Sequence, residues 1–321
     1  MSLEASLARR ARWRLPEIVF WLLAFAALLL PPGKHLLLND VAILALFALS
    51  LDLILGYAGI ISLGHAAFFG AGAYAAGIFC KLVTPDPHAG LAVAIVVAAA
   101  LGALTSLLVL RGSDLTRLMV TLAVALVLHE VANALPQWTG GADGLQGMVV
   151  GPLLGHFDFD LFGRTAYAYS LITLFVLFLL ARRIVHSPFG LSLMAIRRNP
   201  LRTAALGVPT RPRLIAIYTL SAAYAGAAGA LLAQTTAYVS LEMLEFQRSA
   251  DVLLTLIIGG TGWLYGGIAG AIAFKILQDV LSSSAPQFWM FWMGLFLVTL
   301  ALVGRERLTR SVRGLLAKVV P

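Results

Sequence analysis

Apolar residues run along this chain in blocks of up to about 20, separated by short stretches that collect the glycines, prolines and charges. A block of that length crosses roughly 30 Å of hydrocarbon as an α-helix, and the alternating pattern of membrane strands is missing. The blocks predict ten spans, at residues 17–33, 38–58, 60–80, 90–110, 116–135, 166–184, 213–236, 249–264, 266–284 and 286–303. The fold class expected is an all-α integral membrane protein with about ten transmembrane helices, forming a single polytopic domain over residues 1–321. An odd number of spans per half means that any internal five-helix repeat is inverted. Its support is the glycine-rich second and third spans, answered by the glycine-rich seventh to ninth. The eighth span is short and ends in Gly259, Gly260 and Gly262, which fits a broken spanning helix or a tight turn between helices.

Composition removes the soluble alternative. Hydrophobic residues make up 60% of the 321 positions and charged ones 12%, with a mean hydropathy of +0.91. So few polar residues cannot cover a water-soluble globule. Charge then orients the chain, because cytoplasmic loops retain lysine and arginine. Arg9, Arg10, Arg12 and Arg14 precede the first span, Arg111 and Arg117 fall between spans, seven arginines lie between Arg182 and Arg213, and five basic residues follow from Arg305 onward. The opposite loops hold Asp86, Asp143, Asp158, Asp160, Glu242 and Glu245. Both termini are therefore expected in the cytoplasm. The net charge of +8 is topology and contact with anionic headgroups of the lipid bilayer, not nucleic-acid binding. The early arginines followed by Ile18–Leu30 imitate a signal peptide, but Pro31, Pro32, Gly33 and Lys34 follow in place of a small-residue cleavage site, so a retained first helix is expected. Cys80 is the sole cysteine, which excludes an intrachain disulfide and a cysteine-based metal site.

Residues Gly56–Tyr74, GYAGIISLGHAAFFGAGAY, are apolar yet crowded with glycine, alanine and one histidine. Helices in lipid associate through small residues that let backbones approach and through a few polar groups, so this segment suits close contact inside a bundle. Its fuller form, LGYAGIISLGHAAFFGAGAY from Leu55, resembles the signature of the M-type permease subunit of branched-chain amino acid ABC importers. Three further stretches match that family in order: TGGADGL at Thr139–Leu145, SPFGLSLMAIRRNP from Ser187 running on to ALGV at Val208, and IIGGTGWLYGGIAGA at Ile257–Ala271. The resemblance covers nearly the whole chain. It implies a permease subunit in a bacterial-type cytoplasmic (inner) membrane, working with a homologous second permease, two ATPase subunits and an extracytoplasmic solute-binding protein that docks near Gly140–Leu145. The implied cargo is a branched-chain amino acid or a related small amphipathic solute.

Between Arg182 and Arg213 seven arginines meet no acidic residue, and Pro188, Pro200, Pro209 and Pro212 punctuate short helical stretches. Leu191–Arg198 and Leu201–Leu206 combine apolar and basic faces, which suits the membrane surface or a groove in another protein. In ABC importers a cytoplasmic helix enters a cleft of the ATP-hydrolysing subunit. By resemblance residues 182–213 form the coupling loop, Asn199–Gly207 is its docking element, and Arg197, Arg198, Asn199, Arg202, Ala205, Leu206 and Gly207 carry the coupling. Relatives usually have acidic residues where this chain has Pro200 and Ala204, so the implied partner cleft is acidic.

No GxxxxGK[ST] loop occurs, and GGTGWLYGG at Gly259–Gly267 lacks the phosphate-binding lysine. No catalytic triad, carboxylate pair or HExxH helix stands out, so no enzyme activity and no cofactor are expected in this chain, with ATP on partner subunits. An ionisable group at the bilayer centre costs about 2.5–3.5 kcal/mol on insertion scales, which singles out Asp52, His65, the His129 and Glu130 pair, and Asp279 near Lys275. Lys275 and Asp279 are four apart and read as an ion pair. Asp52 is either interfacial or functional, His65 either packs or lines a route, and His129, Glu130 and Asn133 could form an outer vestibule. The candidate pathway is Asp52, Ser62, Gly64, His65, His129, Glu130, Gly259 and Gly260. Relatives place an acid earlier in the fifth span, where this chain has Leu126, so the cargo is poorly specified. The alternative is a self-sufficient secondary transporter or channel coupled to protons or cations through Asp52 and Glu130. It accounts for ten spans equally well but leaves the arginine-rich loop unexplained.

Overall fold

Caps written in the sequence set where the helices begin. A computed structural model describes residues 13–31, 33–284 and 286–303; Arg9, Arg10, Arg12 and the basic residues from Arg305 onward lie outside them. Helix α1 spans Leu15–Ala26, α2 His35–Asp52, α3 Ala66–Leu82, α4 Pro87–Val109, α5 Asp114–Ala134 and α6 Arg164–Val185. Two short helices follow, α7 at Pro188–Arg198 and α8 at Pro200–Ala205, then α9 Thr210–Thr236, α10 Phe246–Gly259, α11 Leu264–Ser284 and α12 Trp289–Val303. Asp86 caps α4 by accepting the His88 N–H at 2.9 Å, and Asp160 caps α6 through the Thr165 and Arg164 N–H groups at 2.8 and 3.2 Å. Pro87, Pro188 and Pro200 occupy first-turn positions, where a missing N–H costs nothing. No β-strand occurs among the described residues, which contain only two isolated bridges.

Each predicted span contains a helix, but only six of those described are long and apolar enough to cross a membrane: His35–Ala58, Pro87–Val109, Asp114–Ala134, Arg164–Val185, Thr210–Thr236 and Leu264–Ser284. Leu15–Leu29 and Ala66–Leu82 are shorter apolar helices. Helix α10 has 14 residues and rises about 21 Å, less than the roughly 30 Å of hydrocarbon. It closes at Gly259, and α11 opens at Leu264 after a tight turn through Gly260 and Gly262 at φ +98° and +76°, values that suit glycine. Of the two readings open for the eighth span, the structure takes the turn.

The third span also differs from expectation. Helix begins at Ala66, because residues 53–58 widen into a π-helical turn that Gly59 ends at φ +74°. Residues 59–65 then run irregularly through the bundle. Non-helical backbone of this kind is tolerated at membrane depth where protein surrounds it.

Small residues bring the central helices together. α9 lies against α3 and α4: a side chain at Gly226 would collide with Ala98, one at Gly72 with the Gly226 backbone, and one at Gly229 with the Phe69 carbonyl. The stripe Ala222, Gly226, Ala230 faces α4, where Gly102, Ala98 and Ala94 receive it. This is the small-residue packing that replaces hydrophobic drive inside lipid. Trp21 joins α1 to α6 and α11 through edge and tilted contacts with Phe175 and Phe178 and an indole N–H donated to the Tyr265 hydroxyl at 3.3 Å.

The loops sort into two ends. At one, Arg182 pairs with Glu17 at 2.5 Å and stacks over Trp13, close to the 53–65 segment and the 260–263 turn. At the other, the Leu145 and Val239 backbones pair, Gly151 N–H bonds the Pro85 carbonyl at 2.7 Å and Lys81 bonds the Gln146 carbonyl at 2.8 Å. Successive long helices run between these ends in alternating directions.

Candidate functional site

The glycine-rich signature makes a buried knot at the arginine-loop end. Widening of α2 into a π-turn frees backbone carbonyls from the regular ladder, and π-turns of this kind often mark functional positions. Arg197 at the end of α7 donates to the Gly56 carbonyl. Asp52, fully buried one turn earlier, accepts the Gly262 N–H at 2.7 Å. A side chain at Gly56 would collide with the Asp52 carboxylate and approach the Gly262 nitrogen, and one at Gly59 would meet the Arg197 stem at 2.8 Å. Gly262 leaves 3.4 Å between its own missing side chain and the Arg197 guanidinium. Three glycines thus form the notch that receives Arg197. Through Arg197 and Asp52 the arginine-rich loop touches the π-turn, which is tied in turn to the α10–α11 turn. A cleft of about 330 Å³, lined by Tyr57, Arg182, His186, Met194 and Trp263 among others, opens beside it.

The irregular segment continues from this knot. Leu63 N–H bonds the Thr121 hydroxyl at 3.2 Å, Ala66 N–H bonds the Ser249 hydroxyl at 2.9 Å, and Gly64 lies so close to the Thr121 carbonyl that no side chain fits there. His65 is fully buried, stacked on Phe47 with ring centroids 5.5 Å apart, and its Nε2 lies 2.8 Å from the Ser50 hydroxyl. Ser50 commits its only hydrogen to the Phe47 carbonyl at 2.6 Å, so His65 donates from Nε2 and its Nδ1 has no partner among the described residues. The buried Ser62 hydroxyl likewise has none. These groups cross-link α2, α5 and α10 around the break.

The structure therefore joins Asp52, Ser62, Gly64 and His65 in one continuous segment, with Gly260 in the turn that Asp52 caps. Gly259 packs on the Gly266 and Gly270 backbones and sets the closeness of α10 to α11. His129 and Glu130 stand apart, half-buried and exposed near the far end of α5. Asp52 is fully buried within the protein at the arginine-loop end. Lys275 reaches Asp40 on α2 at 3.3 Å in place of the expected partner Asp279, because α2 packs directly against that face of α11. Asp40, Arg248 and Asp251 were absent from the sequence-based selection, although their charges within or beside predicted spans are the signal that finds such groups.

The coupling residues divide by task. Asn199 caps α8 by accepting the Arg202 N–H at 2.9 Å, and Pro200 fills its first turn, which gives the position lacking an acid a structural role. Arg198, Arg202 and Ala205 are exposed, while Leu206 and Leu201, the ends of the Leu201–Leu206 stretch, expose 75% and 84% of their surface. Gly207 leaves α8 at φ +83°. Leu201 on this six-residue helix and Leu206 at its C-cap, with Arg198 and Arg202 nearby, form a surface suited to a partner's groove.

Among the described residues no group of His, Cys, Asp or Glu could hold a metal. The family model described as branched-chain amino acid transport system / permease component matches residues 35–311. The chain is 27% identical over 258 residues to the high-affinity branched-chain amino acid transport system permease protein LivM of Escherichia coli (strain K12), covering 74% of this chain and 60% of that protein. The LivM of Salmonella typhimurium (strain LT2) is 28% identical over 259 residues with the same coverage. The probable branched-chain amino acid transport permease protein LivH of Methanocaldococcus jannaschii is 25% identical over 268 residues, 78% of this chain and 82% of that protein. The chain thus spans about 60% of the length of the LivM relatives it matches. No solved structure matches it. The chain belongs to the branched-chain amino acid transport permease family.

Proposed function

We propose that this permease-family chain is a membrane subunit of an ATP-binding cassette importer, carrying branched-chain amino acids or a related small amphipathic solute. Its partners on this reading are a homologous second permease, two ATPase subunits that bind the ATP, and an extracytoplasmic solute-binding protein docking near Gly140–Leu145. The observation that carries the reading is the path from the exposed face of α8, through α7 and Arg197, into the notch at Gly56, Gly59 and Gly262. A cleft closing on Leu201 and Leu206 would move α7, and α7 holds the break in the transmembrane path.

The finer architecture belongs to the same reading: one permease domain with ten crossings, residues 182–213 as the cytoplasmic coupling loop, both termini in the cytoplasm and the cytoplasmic membrane as its home. An inverted five-helix repeat is supported by the glycine-rich second and third spans and their counterparts in the other half. The pathway would include Asp52, Ser62, Gly64, His65, Gly259 and Gly260, with His129 and Glu130 at its outer end.

Copurification of the tagged chain from native membranes in mild detergent tests this. Stoichiometric recovery of ATPase subunits and a second permease supports the importer; a lone or homomeric chain overturns it in favour of the self-sufficient carrier or channel. The carrier reading would rest on Asp52 and Glu130. Asp52 is engaged with the Gly262 N–H, an arrangement suited to holding a turn.

A further inference from the structure

Four charged side chains converge on one small cavity about three helical turns along α2 from the Arg197 notch. Asp40 of α2, Arg248 and Asp251 of α10 and Lys275 of α11 line a space of about 140 Å³. Apolar groups, Phe47, Phe69 and Leu232 among them, make up most of the other walls. Phe47 and Phe69 meet with centroids 4.6 Å apart, and Phe47 also stacks on His65, so this floor is continuous with the signature segment.

Internal pairing accounts for part of the charge. Lys275 lies 3.3 Å from Asp40, and Asp251 accepts the Gln247 amide at 3.0 Å. Arg248 has no carboxylate within ion-pair distance among the described residues. All four residues are half-buried, with the Asp40 side chain keeping 44% and that of Lys275 20% of its surface exposed, so the cluster meets water as well as apolar walls. Charges within predicted spans are costly unless opposite charge or water meets them, and such clusters mark routes for polar cargo. Two acids facing two bases leave the cavity formally neutral. A bare cation or anion would upset that balance, whereas a zwitterion preserves it.

We propose that this cavity is a transit site for the zwitterionic head of an α-amino acid with a small aliphatic side chain. Arg248 and Lys275 take the carboxylate, Asp40 and Asp251 take the ammonium, and the side chain lies on Phe47 and Phe69. The inference rests on the importer reading and adds to it the place where the charged head of that cargo is held in passage. At the roughly 30 Å³ a water takes in the liquid, the space of about 140 Å³ admits about five waters, which suits a small solute and excludes a bulky one. Entry of the ligand loosens the Lys275–Asp40 contact, which keeps binding weak enough for release.

The test reads the cavity on the assembled complex without the binding protein, which would impose its own selection. Leu44 and Gln278 line the cavity, so Leu44→Cys and, independently, Gln278→Cys serve as reporters of thiol labelling, with Cys80 replaced by alanine. L-Leucine at about ten times its dissociation constant should slow labelling roughly tenfold by mass action. Isoamylamine and isocaproate, which carry one charge each, should leave it unchanged, and Arg248→Gln with Asp251→Asn should abolish the protection. Unaltered labelling at saturating leucine in both reporters overturns the proposal, as does equal protection by either singly charged analogue or protection that survives neutralisation. A complex that hydrolyses ATP yet shows no protection removes this site alone. A chain that purifies without ATPase subunits removes the importer, while protection is still read on the chain itself.

Discussion

On the importer reading proposed above, removing the Arg197 side chain should uncouple ATP hydrolysis from solute movement. Its guanidinium makes a charge-assisted hydrogen bond to the Gly56 carbonyl from inside a notch built of three glycines. Hydrogen bonds to charged groups contribute about 1.5–3 kcal/mol net. Arg197 is exposed over much of its surface, and allowing for solvent screening leaves about 1–2 kcal/mol. That corresponds to a five- to thirtyfold weaker hold of α7 on the π-turn, at about 1.4 kcal/mol per tenfold. In vesicles containing the reconstituted complex, labelled leucine uptake and phosphate release are measured on the same preparation. Arg197→Ala should lower uptake per ATP by about fivefold or more on that estimate, with hydrolysis continuing on the partner subunits. Arg197→Lys should fall between, since an ammonium can meet one carbonyl but cannot fill the notch with a flat fork. Amide exchange across Ala58–Ile61 should quicken in Arg197→Ala, because the segment loses its tie to α7. An unchanged uptake-to-hydrolysis ratio together with unchanged exchange would refute the reasoning.

Asp52→Asn retains an oxygen to accept the Gly262 N–H, so uptake should survive; abolished uptake would favour a carboxylate that carries protons. Gly226→Val drives its side chain into Ala98 and the Ala94 carbonyl, and thermal unfolding of the detergent-solubilised protein should show a loss of about 1–3 kcal/mol, the usual cost of overpacking. Gly59→Ala combines left-handed backbone with contact against the Arg197 stem; a loss of about 1–2 kcal/mol is expected from the backbone alone, and a denaturation midpoint equal to the parent's would count against the π-turn geometry. Burial pushes the Asp160 carboxyl up, but the Thr165 and Arg164 N–H groups outweigh it and hold it below its ordinary 3.8. Its contribution is therefore complete above that value and lost as pH falls through the lowered one, so Asp160→Asn should flatten the acid limb of a stability–pH curve.

Helix existence was legible because a bilayer demands long apolar runs, and the ten predicted blocks each hold a helix. Crossing was harder to read, since α10 looks spanning only when its hydropathy is averaged across Gly259, Gly260 and Gly262 into the next helix. The break at residues 59–65 was hidden for a related reason: GYAGIISLGH is apolar apart from Ser62 and His65, and nothing in apolarity distinguishes a helix from a stretch of backbone wedged among helices. Gly59 carries the information, but a glycine in a small-residue helix signals close packing as readily as a left-handed turn, and Gly72 and Gly226 show that the packing meaning also occurs in this chain. Side-chain partners depend on which faces meet. Lys275 and Asp279 share a helical face, yet α2 brings Asp40 nearer, and no spacing within α11 could reveal it. Arg197 illustrates both limits, because its place on the basic loop marked it as a contact outward to a partner. The fold turns the guanidinium inward, where glycines from two distant segments make room for it, so the residue read as part of a docking surface joins that surface to the interior.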